Sequence, residues 1–167
     1  ELNEKWMSQH WDITEFDKVL LNKPQEEVID KGGVIIMAID AENESQIIGS
    51  GLLIKLSNER YELAKLSVVQ AYRKYGIGRK ISEELISRAT DLGAKSVYLQ
   101  SASVLTAAIE LYKSLGFTEF KEICCRCISN LSSITVLIIR LECCSSIEHI
   151  CKYSTSIHIP IPKLLDK

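Results

Sequence analysis

What this 167-residue chain lacks narrows its function before any motif is considered. No apolar run approaches the length of a bilayer-spanning helix, although hydrophobic residues make up 46% of the chain, and 25% charged residues are those of a water-soluble globular protein. Excess charge of one sign is missing too. The formal net charge is −2, and no cluster of Lys and Arg interleaved with aromatics occurs, so nothing gathers a nucleic acid. No leader with a charged start, an apolar centre and a small-residue end opens the chain, so the expected compartment is the cytoplasm, with reduced thiols. Histidine is scarce, and His10, His149 and His158 read as surface or packing residues. The six cysteines all lie late, at positions 124, 125, 127, 143, 144 and 151. Structural zinc needs two thiolate pairs whose turns aim their sulfurs at one point, whereas Cys124-Cys125 and Cys143-Cys144 are adjacent, and strand neighbours face opposite ways. Cysteine here reads as a small buried hydrophobe, and no metal is expected.

What is present reads as one domain long enough for a substantial core. Leu2, Trp6, Met7, His10 and Trp11 recur at helical spacing, and residues 16–21 form a second short helical stretch. Asn22-Lys23-Pro24 predicts a helix start, and Gly32-Gly33 its stop. Three strands follow, at 34–40, 46–56 and 61–69, with Gly49 and Gly51 marking a bulge or a close backbone approach. Their loops are too short for parallel crossovers, so the first half is an antiparallel meander.

The pattern then alternates. A helix over 77–92 ends at Gly93, a strand covers 94–101, and a helix over 106–115 carries Ala108, Leu111, Tyr112 and Leu115 on one face before Gly116. Strands over 117–128 and 134–141 complete an α+β fold with a mixed sheet. Beyond Leu141 the periodicity fails, and Pro160 and Pro162 argue against a central strand. A 1–142 domain with an irregular, Cys-containing tail at 143–167 is expected, or a tail folded over an open sheet edge.

The run Arg73-Lys74-Tyr75-Gly76-Ile77-Gly78 lies between the strand ending at Val69 and the helix carrying Ile81, Leu85, Ile86, Ala89 and Leu92. Two glycines two apart ease the turn, and the helix that follows aims unpaired N–H groups and its positive dipole end at a docking anion. This is a phosphate cradle built from backbone. The turn lacks the third glycine of a dinucleotide fingerprint and the Lys-Ser or Lys-Thr ending of a P-loop, which leaves a nucleotide-binding domain far behind as a reading.

Two segments at the right separation carry a family resemblance. "YELAKLSVVQAYRKYGIGRKI" places Arg73, Gly76 and Gly78 in an Arg/Gln-x-x-Gly-x-Gly/Ala motif, and "AAIELYKSLGF" follows after "AKSVYLQS". Together they resemble the GNAT acetyltransferase superfamily, and "GGVIIMAID" and "IIGSGLLIK" extend the likeness from about residue 3 to 141. The resemblance implies a mixed central sheet with an antiparallel N-terminal meander, splayed central strands and flanking helices. It implies acetyl-CoA as cosubstrate, its pyrophosphate on Arg73, Lys74, Tyr75, Gly76, Ile77 and Gly78, with Arg79 next in the helix. The pantetheine arm would bond backbone at Leu66, Ser67 and Val68 like an added strand. The thioester would lie between strands 61–69 and 94–101, and the amine of a small molecule or peptide would enter from the opposite side.

By the same resemblance, Tyr112 stands where the family places its general acid, and the competing reading is that it packs the helix on the sheet with Leu111 and Leu115. Glu62 stands where some members hold a base for the amine proton; the alternative is a solvent-facing or salt-bridged carboxylate. Lys65 would tune Glu62 only if both reach one cavity, and strand alternation puts them on opposite faces unless a bulge intervenes. The chain departs from the pattern at Leu105, where many relatives carry asparagine, and at Lys74, where glycine is frequent. The family's first strand has no counterpart before the first helix, which leaves an edge for a homodimer or the tail to cover. The function implied is transfer of acetyl from acetyl-CoA to a primary amine by direct attack; the alternative is a non-catalytic sensor of acetyl-CoA or CoA.

Overall fold

The computed structural model describes residues 14–119, 134–141 and 154–159. The helix expected around Trp6 and Trp11, all six cysteines, and most of the strand expected over 117–128 lie outside these residues.

Helix α1 (Glu15–Asn22) begins at a capping box: the Thr14 hydroxyl accepts from the Asp17 N–H at 3.1 Å and the Asp17 carboxylate accepts from the Thr14 N–H at 3.0 Å. It stops at Lys23, the residue before a proline being pushed out of helical geometry. The helix expected from Pro24 is shorter and wider than the sequence suggests, a five-residue π turn (Gln25–Ile29) ended by Gly32-Gly33. Leu20, Val28 and Leu52 form a small core between these elements and the sheet.

Strands β1 (Val34–Asp40), β2 (Ile47–Lys55) and β3 (Arg60–Val68) form the antiparallel meander. Helix α2 (Ile77–Asp91) buries Ile77, Ile81, Leu85 and Ala89, a row at four-residue spacing, in the main core with Ile36, Ile48, Leu53 and Leu63. This row explains Gly49 and Gly51. A Cβ at Gly51 would stand 2.9 Å from both Ile81 Cγ2 and Leu85 Cδ1, so the missing side chain lets helix and sheet close on each other.

β4 (Ser96–Ala102) lies parallel to β3, helix α3 (Thr106–Ser114) follows, and β5 (Thr118–Glu119), β6 (Ile134–Arg140) and β7 (Ser154–Ile159) complete a mixed seven-stranded sheet in the order β5-β6-β4-β3-β2-β1-β7. The tail is therefore not irregular throughout. β7 runs parallel to β1, from Ile35 opposite Ser154 to Asp40 opposite Ile159, and covers the edge that the sequence leaves open. Pro160 follows the strand directly and does not interrupt it. Residues 154–159 thus share a sheet with the domain from which the composition separates them.

Among the described residues no helix is long and apolar enough to cross a membrane. Replacing Gly51 with Ala should destabilise the fold by about 1–3 kcal/mol, because the methyl group meets well-packed neighbours. Chemical denaturation followed by circular dichroism measures this, with an unchanged midpoint as the contrary result.

Candidate active site

β3 governs the site. On one side it pairs with β2 along nearly its whole length; on the other it pairs with β4 only at Arg60–Ser96, Tyr61–Val97 and Glu62–Tyr98. Beyond Glu62 the two parallel strands part, and the β4-facing backbone edge of β3 has no strand partner among the described residues. The splay expected between strands 61–69 and 94–101 is present.

In the same stretch β3 bulges. Ser50 faces Ser67 and Leu52 faces Ala64, so Lys65 and Leu66 together oppose Gly51. Lys65 takes up the extra residue at φ 53°, a left-handed conformation unusual for a side-chain-bearing residue. Simple alternation would place Glu62 and Lys65 on opposite faces; in the bulged strand both line one cavity of about 530 Å³. Thr14, Phe16, Asp17 and Leu20 of the α1 region line that cavity, with Glu62 and Leu66 of β3, Tyr98 and Gln100 of β4, and Leu105, Ala108 and Tyr112 at α3.

Glu62 sits where the strands begin to part. Burial raises its carboxyl above the ordinary 4.5, against the lowering effects of a hydrogen bond from the Tyr98 hydroxyl at 3.0 Å and of the Lys65 charge, while the Asp17 charge adds to the rise. It is partly buried, and among the described residues it forms no ion pair. Asp17 goes the other way. Its burial acts to raise it, but hydrogen bonds from Lys65 and Thr14, with the Lys65 charge, outweigh burial and hold it below 3.8. Lys65 and Asp17 form an ion pair whose side chains are only 18% and 13% exposed.

Tyr112 both packs α3 against its neighbours and borders the cavity. It is the buried residue of α3, packs edge-on against Phe117 at 5.9 Å, and also lines the cavity, where burial pushes its phenol up to about 12. Leu105 caps α3 without any side-chain hydrogen bond, so the position that asparagine fills in many relatives offers only an apolar surface to the cavity.

The Arg73–Gly78 turn lies beyond the open end of β3. Gly76 caps α2 at φ 76°, with no side-chain cap and no acidic residue in the first turn. The first helical bond runs from the Lys80 N–H to the Gly76 carbonyl at 3.0 Å, so the Ile77, Gly78 and Arg79 amides have no helical acceptor. Lys74 stands at φ 71°, where glycine would be unstrained, at a cost of about 1 kcal/mol. Gly78 has room: a Cβ there would meet Leu111 Cδ2 at 3.6 Å and Val68 Cγ2 at 3.8 Å, ordinary contacts. Those contacts also put the end of β3 directly beside the turn. Arg73 Nε donates to the Val68 carbonyl at 3.2 Å, Arg79 donates to Ser114 Oγ at 2.6 Å, Tyr75 packs on the core, and the Ser67 hydroxyl lies 3.3 Å from that of Ser50. Leu66, Ser67 and Val68 thus run from the cavity to the cradle.

Sequence reasoning passed over Tyr98, Asp17 and Gln100. Asp17 had a signal, the Thr14-x-x-Asp17 capping pattern, but nothing in it says that the carboxylate also faces β3. Among the described residues no group of three His, Cys, Asp or Glu side chains is placed to hold a metal.

A carboxyl whose folded pKa lies above its unfolded value takes up protons on folding, so its ionisation costs stability above the folded pKa, and the penalty vanishes below the unfolded one. Glu62→Gln should therefore be more stable than the native chain near pH 7–8, with the gain shrinking toward pH 4. Thermal melts across that range test the sign, and a gain that grows on acidification would contradict it.

The comparisons with known proteins agree with this geometry. Residues 1–117 match the family model described as Acetyltransferase (GNAT) family. The Escherichia coli (strain K12) protein named uncharacterized N-acetyltransferase YjgM is 32% identical over 79 residues, 46% of this chain and 47% of that one. The chain spans less than half the length of the first curated relatives it matches. A GNAT-family acetyltransferase from Staphylococcus aureus Mu50 superposes with a TM-score of 0.71 at 21% identity, covering 84% of this chain and 89% of that one. A GNAT-family acetyltransferase from Elizabethkingia anophelis, solved with acetyl-CoA bound, superposes with a TM-score of 0.52 at 22% identity, covering 77% and 91%. With a family model matched over more than half its length and the sheet of that family, this chain belongs to the GNAT acetyltransferase family.

Proposed function

We propose that the chain moves the acetyl group of acetyl-CoA to a primary amine of a small molecule or peptide, by direct attack of the amine on the thioester. The observation that carries this reading is the parting of β3 from β4 beyond Glu62. It exposes a backbone edge that runs from a cavity holding a buried carboxylate and phenol to a helix N-terminus with free amides. Such an edge accepts an amide-containing arm as an added strand, and the helix end accepts a diphosphate. Leu66, Ser67 and Val68 would take the pantetheine arm, and Arg73, Lys74, Tyr75, Gly76, Ile77, Gly78 and Arg79 the pyrophosphate. Because Gly78 has space for a methyl group within the protein itself, its lack of a side chain fits a ligand that approaches the backbone closely. The acetyl-CoA bound to the Elizabethkingia relative of the same fold supports the choice of ligand.

The chemistry follows from proton affinities. An alkyl amine of pKa about 10.4 costs roughly 4–5 kcal/mol to populate in its neutral form at pH 7. Glu62, raised by burial, is a better proton acceptor than an ordinary carboxylate, and the Tyr98 hydroxyl orients it. As the amine nitrogen bonds to the thioester carbon, its proton passes to Glu62 and the C–S bond breaks toward sulfur. At about 12 the Tyr112 phenol stays protonated throughout. Complete transfer from it to a thiolate of pKa about 8.5 runs uphill by roughly 5 kcal/mol. Tyr112 therefore serves chiefly as a hydrogen-bond donor to the leaving sulfur, stabilising the charge that develops there.

Acetyl-CoA should raise the melting temperature while ATP and NAD do not, and a reversed order would reject the reading. Thiol release over a panel of polyamines, amino acids, aminoglycosides and peptides divides enzyme from sensor: an enzyme turns over at least one of them. With that acceptor, Tyr112→Phe should lower kcat about 10- to 100-fold and leave acetyl-CoA binding within about twofold. Unchanged turnover would dismiss Tyr112.

A further inference from the structure

We propose that Lys65 and Asp17 form a positioning pair that sets the acidity of Glu62, and with it the pH above which the acceptor's proton can be taken. This rests on the reading of Glu62 as the base and extends it to two residues that no motif selects.

Three observations support it. Lys65 occupies the extra residue of the β3 bulge on a left-handed backbone, and it lines the same cavity as Glu62. Its partner Asp17 comes from a different element, the first turn of α1, and the pair is the least exposed ion pair among the described residues. A charge pair so shielded acts on its neighbours with little screening. Finally, among the described residues the ionisable groups facing Glu62 are few: Lys65 on its own strand, Tyr98 on β4, Asp17 from α1 and Tyr112 from α3 share the cavity wall, while its cross-strand neighbour on β2 is Ile54. Lys65 favours the carboxylate and Asp17 opposes it, so the pair holds Glu62 between two opposed fields.

The opposed signs give the test. In Lys65→Met the cation is lost and Asp17 acts alone, so Glu62 should titrate at higher pH. In Asp17→Asn the opposing carboxylate is lost and Lys65 is released toward Glu62, so Glu62 should titrate at lower pH. Each displacement is expected to be about half to one pH unit. Lys65→Arg should restore native behaviour. The measurement is a carbon-13 NMR titration of side-chain-labelled glutamate in the full chain without cosubstrate, Glu62 being identified by the signal that Glu62→Gln removes. In parallel, the acidic limb of the kcat/KM profile is followed in the same variants.

Opposite displacements by NMR, matched by the acidic limb, uphold the proposal. Should both variants titrate like the native chain, or move the same way, the pair only pins α1 to the sheet and the proposal is overturned. Opposite NMR displacements with a fixed kinetic limb would uphold the tuning of Glu62 and overturn its role as base, so the two failures are told apart. Asp17→Asn keeps an oxygen able to accept from Thr14, which preserves a folded variant should Lys65→Met prove unstable.

Discussion

The structure turns on one choice made by the backbone of β3. A strand in the middle of a sheet normally satisfies its amides and carbonyls on both sides, and leaving one side open away from water is costly. Here β2 takes one side almost completely and β4 takes the other for three residues only. The open remainder is the edge proposed to dock the cosubstrate, its divergence from β4 borders the cavity, and its extra residue, a lysine, lines that cavity. Had β3 and β4 stayed paired to their ends, neither edge nor cavity would exist. The glycines of β2 permit this arrangement from below, because α2 can press close to the sheet at the point where the bulge distorts it.

Burial then does chemical work with two ordinary side chains. Glu62 and Tyr112 are both withdrawn from water in one cavity, and both hold their protons more tightly than they would on the surface. The effect separates their roles. In the proposed reaction, a carboxyl moved upward comes nearer to the amine it would deprotonate, whereas a phenol moved upward becomes a more persistent donor of hydrogen bonds and a poorer donor of protons. A surface location would give a weaker base and a phenol no more useful than water.

The sequence made much of this legible because the signals were local. Apolar runs bounded by short polar turns marked the three strands of the meander, Gly93 and Gly116 marked the ends of two helices, and the Arg73–Gly78 run marked the turn before α2. What it hid depends on partners distant in the chain. Tyr98 reaches Glu62 through a parallel register set by a helical crossover, and Asp17 reaches Lys65 from a helix 48 residues earlier in the chain; neither distance is written in any spacing. The bulge at Lys65 was invisible for another reason, since it occurs at a lysine rather than at the glycine that would advertise a left-handed residue. Pro160 and Pro162 pointed away from a strand in the tail, yet Ser154–Ile159 needs no amide from them.

Lastly, the parallel joining of β7 to β1 ties together residues near opposite ends of the chain. During synthesis β1 emerges long before β7 and must wait for that neighbour to exist. The meander, α2 and the Gly-rich turn can assemble meanwhile from contacts nearer in sequence, but the sheet has an exposed flank throughout elongation. Until β7 arrives, the free edge of β1 is open to pairing with a strand of another copy.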